Sequence, residues 1–391
     1  MKEGKRVILH VTSDNIFFDM ISSNFEKLEG YINIFLEIGF LEEVQFKFIS
    51  HPELVTVAYS EEEWLSYFSK PEVDIIYFHG LWPPFFSCYD RIGKDKTVIW
   101  YCYGKEIYEI VPGYPCLVRQ RLFKFRDFLF YYSSYIKRFH FIRSTIGYVL
   151  PFYDLLRGKL DRRKLLRRID YVQTPLMVEQ DMLRKLPYFN AKPFKMSGRG
   201  IAPKTERVAI HEEAGSILVN HSAAYTNNVL DVMHKLSRID LRGRELIFPI
   251  VYGWDRVKDK VKEFDGRNGC KAVYIEDRLP LEEYESMMSR CTHAIYGTLR
   301  QQALGNVFAC FKIGVKVFLY KDSMNYKQFK KDGFVVYAIE DMNFEALSRP
   351  LSKANAIHNN ALFYSLYGIP EDYLQTQFDS LFNNISHGEF G

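Results

Sequence analysis

The sequence predicts an α/β protein built as two consecutive Rossmann-like domains with parallel sheets facing a cleft. Three observations carry this expectation. The chain has 391 residues, too many for one ordinary core. Short apolar runs alternate with helical patterns, as in parallel sheets whose strands are joined by helices. The alternation also occurs twice, in halves of similar size separated by the irregular stretch Pro193–Ala202. The domains are expected at 1–195 and 196–355, with 356–391 as a helical segment packing back on the first.

In the first half, Val7–Val11 is the first strand, and Asp14–Phe18 supplies the turn and helix start after it. Phe25–Phe40 reads as a mixed helix, Val44–Ile49 as a strand and Thr56–Tyr59 as a short one. Ser60, with Glu63 three residues on, is a capping signal for the next helix. Ile75–Phe78 is a fully apolar strand running into His79-Gly80, and Thr97–Tyr101 is another ending near Gly104. Tyr171–Thr174, halted by Pro175, closes the half. The second half repeats the scheme with strands at Ser216–Asn220, Glu245–Tyr252, Ala272–Glu276, His293–Tyr296, Val315–Tyr320 and Phe334–Ile339. Helical patterns sit between them, for example Asn228–Arg238 and Leu281–Ser289, and Asn355–Phe382 is apolar at helical spacing.

Composition narrows the class. An apolar share of 47% and a charged share of 26% describe a soluble globular chain. The six cysteines are scattered without a Cys-x-x-Cys pair, which reads as buried thiols in a reducing compartment. The first apolar run is too short for a signal peptide, and none approaches the ~20 residues that span a bilayer. A cytoplasmic protein is therefore expected. The net charge of +4 conceals a local concentration: Arg119–Arg168 holds fourteen Lys/Arg against three Asp, interleaved with twelve Phe/Tyr. Basic and aromatic residues together suit a surface lying on anionic lipid, and Arg121, Phe123, Lys124, Phe125, Arg126 and Phe128 are the candidates. Core helices with extended arginines are the competing reading. Nucleic acid is not expected as a partner, because no nucleic-acid-binding motif accompanies the charge.

Chemistry is sought where parallel strands hand over to helices, since ligands bind outside the carboxyl ends of such strands. Tyr296–Asn306 is the leading stretch. Arg300 suits a phosphate, and Gln301 and Gln302, with Gly305 behind them, suit a base edge or sugar hydroxyls. Asn220, Ser222, Thr226 and Asn227 follow another strand and either hold a diphosphate or serve as a helix cap. Tyr252-Gly253 offers a ring for stacking and a close backbone approach, or a plain turn. In the first half, His79 and Glu106 are candidate bases, with Gly80, Gly104, Tyr108 and Glu109 beside them as acceptor-binding residues. The fragment Ser197-Gly-Arg-Gly200 is not a dinucleotide fingerprint, and there is no P-loop, Asp-x-Asp pair or His-Glu-x-x-His. No cofactor and no metal are expected.

Taken in order, Phe78-His79-Gly80, Trp100-Tyr-Cys-Tyr-Gly104-Lys-Glu106-Ile-Tyr108-Glu109, Ile217-Leu-Val-Asn220-His-Ser222 and Arg300-Gln301-Gln302-Ala-Leu-Gly305 resemble glycosyltransferase family 56. These are bacterial 4-acetamido-4,6-dideoxygalactose transferases acting on lipid-linked intermediates of enterobacterial common antigen and related surface polysaccharides. The resemblance extends from the first strand to about Tyr337. This chain departs from the family pattern in having Val219 for a glycine, an inserted His221, and Ala303 and Leu304 within the last block.

The resemblance implies a GT-B fold, with the nucleotide-sugar in the second domain and the acceptor in the first. It implies transfer of a deoxyamino sugar from a dTDP- or UDP-sugar to an undecaprenyl-diphosphate-linked saccharide, at the inner face of the bacterial cytoplasmic membrane. Arg300 would stabilise the departing diphosphate and His79 or Glu106 would be base or acceptor anchor. A sugar-nucleotide epimerase on the same fold and a non-catalytic membrane or nucleic-acid binding protein are the alternatives.

Overall fold

The computed structural model describes residues 5–15, 17–40, 44–110, 124–136, 162–194, 208, 211–241, 243–264, 269–368 and 372–386. The chain divides into two units. One comprises Met1–Ile107, Ile146–Ile201 and Ile369–Gly391; the other comprises Tyr108–Thr145 and Ala202–Gly368.

The first unit is built on a seven-stranded parallel sheet of β1 (Arg6–Val11), β2 (Tyr31–Ile38), β3 (Val55–Ala58), β4 (Val73–His79), β5 (Thr97–Tyr101), β6 (Tyr171–Gln173) and β7 (Lys192–Pro193), in the order β3-β2-β1-β4-β5-β6-β7. The second carries six parallel strands, β8 (Ser216–Val219), β9 (Glu245–Pro249), β10 (Lys271–Ile275), β11 (Cys291–Tyr296), β12 (Lys316–Leu319) and β13 (Tyr337–Ala338), in the order β10-β9-β8-β11-β12-β13. Both sheets are Rossmann-like, as the alternation predicts. Strand order reverses between β1 and β4 in one and between β8 and β11 in the other, the positions where α/β sheets open to ligands.

Strands that the sequence marks as continuous apolar runs are buried on both faces. Ile75, Ile76, Tyr77 and Phe78 of β4 are inaccessible, and every residue of β11 is buried. The Ser60 signal also holds: its Oγ accepts from the Glu63 N–H at 3.1 Å, and Glu63 accepts from the Tyr59 N–H at 2.8 Å. Two expectations fail. The mixed helix of Phe25–Phe40 is in fact the end of a helix, Phe18–Glu26, followed by β2. Gly30, at φ +83°, turns the chain between them, and three isoleucines in Tyr31–Ile38 favour the strand that fills the gap between β1 and β3. Val44–Ile49 is no strand because the Asp14 carboxylate takes its backbone donors: the N–H groups of Lys47, Phe48 and Ile49 lie 2.8, 2.9 and 3.1 Å from it.

The helix Tyr373–Ser386 packs in the first unit. Phe378 is fully buried, with edge-on ring contacts to Phe25, Tyr31 and Phe194 at 5.5–5.7 Å. Gln375 adds polar bonds to the Glu29 backbone, accepting from its N–H at 2.8 Å and donating to its carbonyl at 3.2 Å.

In the second unit two helices meet head to head. The Asp231 N–H donates to Asp127 Oδ2 at 3.0 Å, the Asp127 N–H to Asp231 Oδ2 at 3.4 Å, and the Lys124 N–H to Asn228 Oδ1 at 2.7 Å. The free amides that begin the helix Phe125–Ile136 and the helix Val229–Leu236 are thus met by side chains from the opposite helix. Burial, with Asp231 beside it, pushes the Asp127 carboxyl well above the usual carboxylate range.

Two tests follow from the packing. Phe378→Ala should lower unfolding stability by about 3–5 kcal/mol, read by urea denaturation. Asp127→Ala should cost ~1–2 kcal/mol, while Asp127→Asn should be close to neutral. Because the native state keeps a proton that the unfolded chain releases, wild-type stability should decline as pH rises above the ordinary value of 3.8. The Asn variant should lack that part of the decline.

Candidate active site at the carboxyl ends of the second sheet

At the reversal between β8 and β11 three backbone positions take left-handed conformations without glycine: Asn220 (φ 60°), Asn228 (φ 48°) and Ala303 (φ 59°). The asparagines earn this conformation by bonding across the gap. Asn220 Oδ1 accepts from the Gly297 N–H at 2.8 Å, and Asn228 Nδ2 donates to the Gly297 carbonyl at 2.7 Å. Gly297 lies so close that a Cβ there would stand 2.4 Å from the Asn227 carbonyl oxygen and 2.8 Å from Val232. Asn227 completes the turn, its Nδ2 donating to both the carbonyl and the Oγ of Ser222 at 2.7 Å. Neither Thr226 nor Asn227 caps the following helix; that position belongs to Asn228.

From Gly297 the chain runs through Thr298, Leu299 and Arg300 to the helix Leu304–Ile313. The Gln301 N–H donates to Tyr108 Oη at 2.9 Å, and Asn325 Nδ2 donates to the Gln302 carbonyl at 2.8 Å. Ala303, left-handed at the N-cap, makes no side-chain cap, so the first amides of this helix point outward with the positive end of its dipole. Gly305 is exposed in the first turn and Arg300 is half-buried just ahead of it. His221 is half-buried near Arg300, with its Nδ1 out of contact with solvent. Burial first, and the guanidinium second, depress it to about 4, so it is neutral at pH 7.

The two ends of this sheet differ in how their polar atoms are met. At the amino end, Arg244 donates to the Gly215 carbonyl (2.7 Å), the Leu347 carbonyl (2.5 Å), Thr292 Oγ1 (3.2 Å) and His293 Nδ1 (2.9 Å). Lys316 Nζ donates to the carbonyls of Ala346 (2.6 Å) and Arg349 (3.0 Å). His293 Nε2 donates to the Arg349 carbonyl at 3.1 Å, and burial holds that ring at about 2, hence neutral. At the carboxyl end, Asn220 Nδ2, His221 Nδ1, Asn227 Oδ1, Thr298 Oγ1, Gln302 Oε1 and Asn325 Oδ1 are buried and have no hydrogen-bond partner among the described residues. Unmet buried polar atoms are costly and rare, and here they gather around Arg300 and an uncapped helix start.

A second anchor joins the loops after β8 and β9. Ala223 bridges to Gly253, which has φ +128° and would place a Cβ 2.2 Å from the Ala223 carbonyl carbon. The Tyr252 ring beside it is 54% exposed. A hollow lined by Ile275, Glu282, Ser286 and Arg290 lies along β10 and the helix Leu281–Ser289, at the sheet edge and apart from these loops.

In the first unit the predicted residues also stand at the sheet reversal. His79, the last residue of β4, is 2% exposed, with Nε2 at 2.9 Å from His10 Nδ1. His10 Nε2 in turn lies 3.0 Å from Asn33 Oδ1, and Asn33 Nδ2 donates to the Phe25 carbonyl at 2.9 Å. This chain fixes the tautomers. The neutral His10, which burial holds near 3, carries its proton on Nε2 and accepts on Nδ1. His79 therefore carries its proton on Nε2, and its buried Nδ1 is a lone pair without a partner among the described residues. Burial and then His10 hold His79 well below its ordinary value. Glu106 is 1% exposed, accepts from the Tyr103 N–H at 2.9 Å, and is pushed upward by burial. Gly80 and Gly104, at φ +83° and +99°, turn the chain after β4 and β5. Glu109 lies in the short helix Ile107–Ile110.

Of the basic aromatic candidates, Arg121 and Phe123 lie outside the described residues. Lys124 Nζ stands 3.9 Å from Asp322 and 4.4 Å from the Tyr320 ring centre, Phe125 and Arg126 are exposed, and Phe128 is half-buried. No described helix is long and apolar enough to cross a membrane. Gly297 and Thr298 lie in the leading stretch Tyr296–Asn306 without being singled out there, and Asn325 lies outside every candidate stretch. A glycine directly after a buried strand is the one signal that could have exposed the first of them.

No known family pattern matches the sequence, and no curated protein resembles it closely enough to align. Solved structures do. A glycosyltransferase from Rickettsia africae aligns with a TM-score of 0.56 and 9% identity, over 98% of this chain and 100% of that one. The N-terminal domain of a Candida albicans trehalose-6-phosphate phosphatase aligns with 0.55 and 9%, over 98% and 97%. Anabaena HepE, solved with UDP and glucose, aligns with 0.54 and 10%, over 97% and 100%. With its two Rossmann-like sheets, the chain has the GT-B fold.

Proposed function

We propose that this protein is a glycosyltransferase that takes its nucleotide-sugar at the carboxyl ends of β8, β9 and β11. The observation that carries the reading is the gathering of unmet polar atoms around Arg300 and the uncapped start of the helix Leu304–Ile313. Helix amides and a guanidinium form an anion site suited to a diphosphate. Gln302, Asn220 and Thr298 offer both donors and acceptors to sugar or ribose hydroxyls. The exposed Tyr252 ring offers a face for the base. HepE, a fold relative solved with UDP and glucose, supports a nucleotide-sugar as the donor class.

In the transfer, an acceptor hydroxyl bonds to the anomeric carbon and passes its proton to a general base as the bond from that carbon to the diphosphate oxygen breaks. The leaving diphosphate keeps the electron pair, and Arg300 offsets the charge that develops there. His221, neutral beside it, adds no competing positive charge and can hydrogen-bond a phosphate oxygen only through a ring N–H. On the acceptor side, His79 offers a neutral imidazole lone pair and Glu106 shapes the Tyr103–Gly104 turn, which fits both as anchors. The finer reading follows the matches at Gly104–Glu109 and Arg300–Gln302: a 4-acetamido-4,6-dideoxygalactose-like sugar passes from a dTDP- or UDP-donor to an undecaprenyl-diphosphate-linked saccharide.

Calorimetry with dTDP, UDP and GDP, with and without a chelator, tests the donor. Binding of dTDP or UDP is expected, and failure of all three would sink the reading. Arg300→Ala should weaken diphosphate binding and reduce turnover by roughly 100-fold or more with melting unchanged; near-normal turnover removes Arg300 from the site. Gly297→Ala should abolish nucleotide binding, because its Cβ drives the Asn227–Asn228 turn away. Ala303→Gly should leave binding intact and relieve ~1 kcal/mol of left-handed strain, set against the entropy that glycine adds to the unfolded chain.

A further inference from the structure

The helix Met324–Asp332 follows β12 and is fastened at two points to the passage between β11 and the helix Leu304–Ile313. The Met324 N–H donates to the Leu299 carbonyl at 3.0 Å, and Asn325 Nδ2 donates to the Gln302 carbonyl at 2.8 Å. These bonds fall on either side of Arg300 in the chain, so Asn325 stands one hydrogen bond from the segment that carries the anion site. Asn325 is fully buried. It has no duty as a helix cap, because Ser323 Oγ already accepts from the Tyr326 N–H at 3.0 Å. Its bond to a carbonyl settles which way the amide points, nitrogen toward Gln302 and oxygen on the other side. That oxygen, Oδ1, has no hydrogen-bond partner among the described residues. Gln302 Oε1 and Thr298 Oγ1 share the condition, and Thr298 is also fully buried. Anchoring the loop needs only the nitrogen. The buried, unmet oxygen is a cost that a bound donor group removes.

We propose that Asn325 reads the sugar of the nucleotide-sugar, its Oδ1 accepting a hydrogen bond from one sugar hydroxyl. This deepens the transfer reading and rests on it. Strand order favours the sugar over the nucleotide as the group read. The sheet runs β9-β8-β11-β12, with neighbouring strands ~4.8 Å apart. Tyr252 follows β9, residues 220–228 follow β8, Arg300 follows β11 and Asn325 follows β12. A nucleotide-sugar has its diphosphate in the middle, with ribose and base on one side and the sugar on the other. With the base at Tyr252 and the diphosphate at Arg300, the sugar comes to the β12 side, where Asn325 stands. A buried acceptor with no other partner discriminates well, because a sugar lacking the matching hydroxyl leaves it unmet.

The test is calorimetry on the full-length protein and on Asn325→Ala, with UDP and dTDP beside UDP-glucose, UDP-galactose and dTDP-glucose. Asn325→Ala should weaken the tightest-binding of the nucleotide-sugars about tenfold and leave UDP and dTDP as in the wild type. Analogues of that nucleotide-sugar, each lacking one sugar hydroxyl, should then single out one position. Its removal should weaken binding to the wild type about tenfold and to Asn325→Ala not at all. Equal weakening of nucleotide and nucleotide-sugar would make Asn325 a loop anchor only, and unchanged affinity for both would take it out of the site; either result overturns the proposal. If the variant melts early, the wild type decides alone: analogues that all bind as tightly as the parent overturn it. A wild type that binds no nucleotide and no nucleotide-sugar sinks the donor reading and this inference with it, a result distinct from failure at Asn325.

Discussion

Everything at the carboxyl end of the second sheet depends on one close approach. Gly297 follows β11 and passes against the Asn227 and Asn228 carbonyls with room for a hydrogen and nothing larger. That proximity lets Asn220 and Asn228 bond to the Gly297 amide and carbonyl, and those bonds repay two left-handed asparagines. With the two loops held together, Arg300 and the start of the helix Leu304–Ile313 fall beside His221. The site is thus rigid at its base, which is what an electrostatic site requires.

The contrast between the two ends of this sheet shows a division of labour. Cations at the amino end are spent on closing the fold: the half-buried Arg244 and the buried Lys316 satisfy carbonyls at the end of the short helix Phe344–Ser348, and the neutral His293 joins them. A strongly polar cluster there has a structural purpose. Polar side chains at the other end have atoms unmet among the described residues, which is where chemistry is sought.

Much of this was legible in the residues. The runs that became β4, β5 and β11 are mainly apolar and lead into glycine or polar turns, the pattern of buried parallel strands. The strand-to-helix passage at Tyr296–Asn306 is likewise visible as an abrupt change from apolar to polar. What sequence could not reveal was pairing at long range. Tyr31–Ile38 has apolar residues at both helical and strand spacing, and only its place between β1 and β3 decides the matter. Asp127 and Asp231 stand 104 residues apart, and nothing local marks either as a cap for the other's helix. His79 reads as a candidate base until the His10–Asn33 relay fixes its tautomer.

The head-to-head helices also bear on how the chain is assembled during synthesis. The helix Phe125–Ile136 emerges well before Val229–Leu236, the helix whose amides it caps, and the first unit is not complete until Tyr373–Ser386 arrives. Each unit is therefore interrupted by chain belonging to the other, and neither can close as a contiguous stretch leaves the ribosome. Until their distant partners appear, Phe130, Tyr131 and the acid pair have no native surroundings, which makes this an order-of-arrival problem of high contact order. A gene fragment beginning at residue 202 would inherit the same defect permanently. It would retain β8 to β13 yet leave Tyr225 and Asp231 facing water where a helix should be.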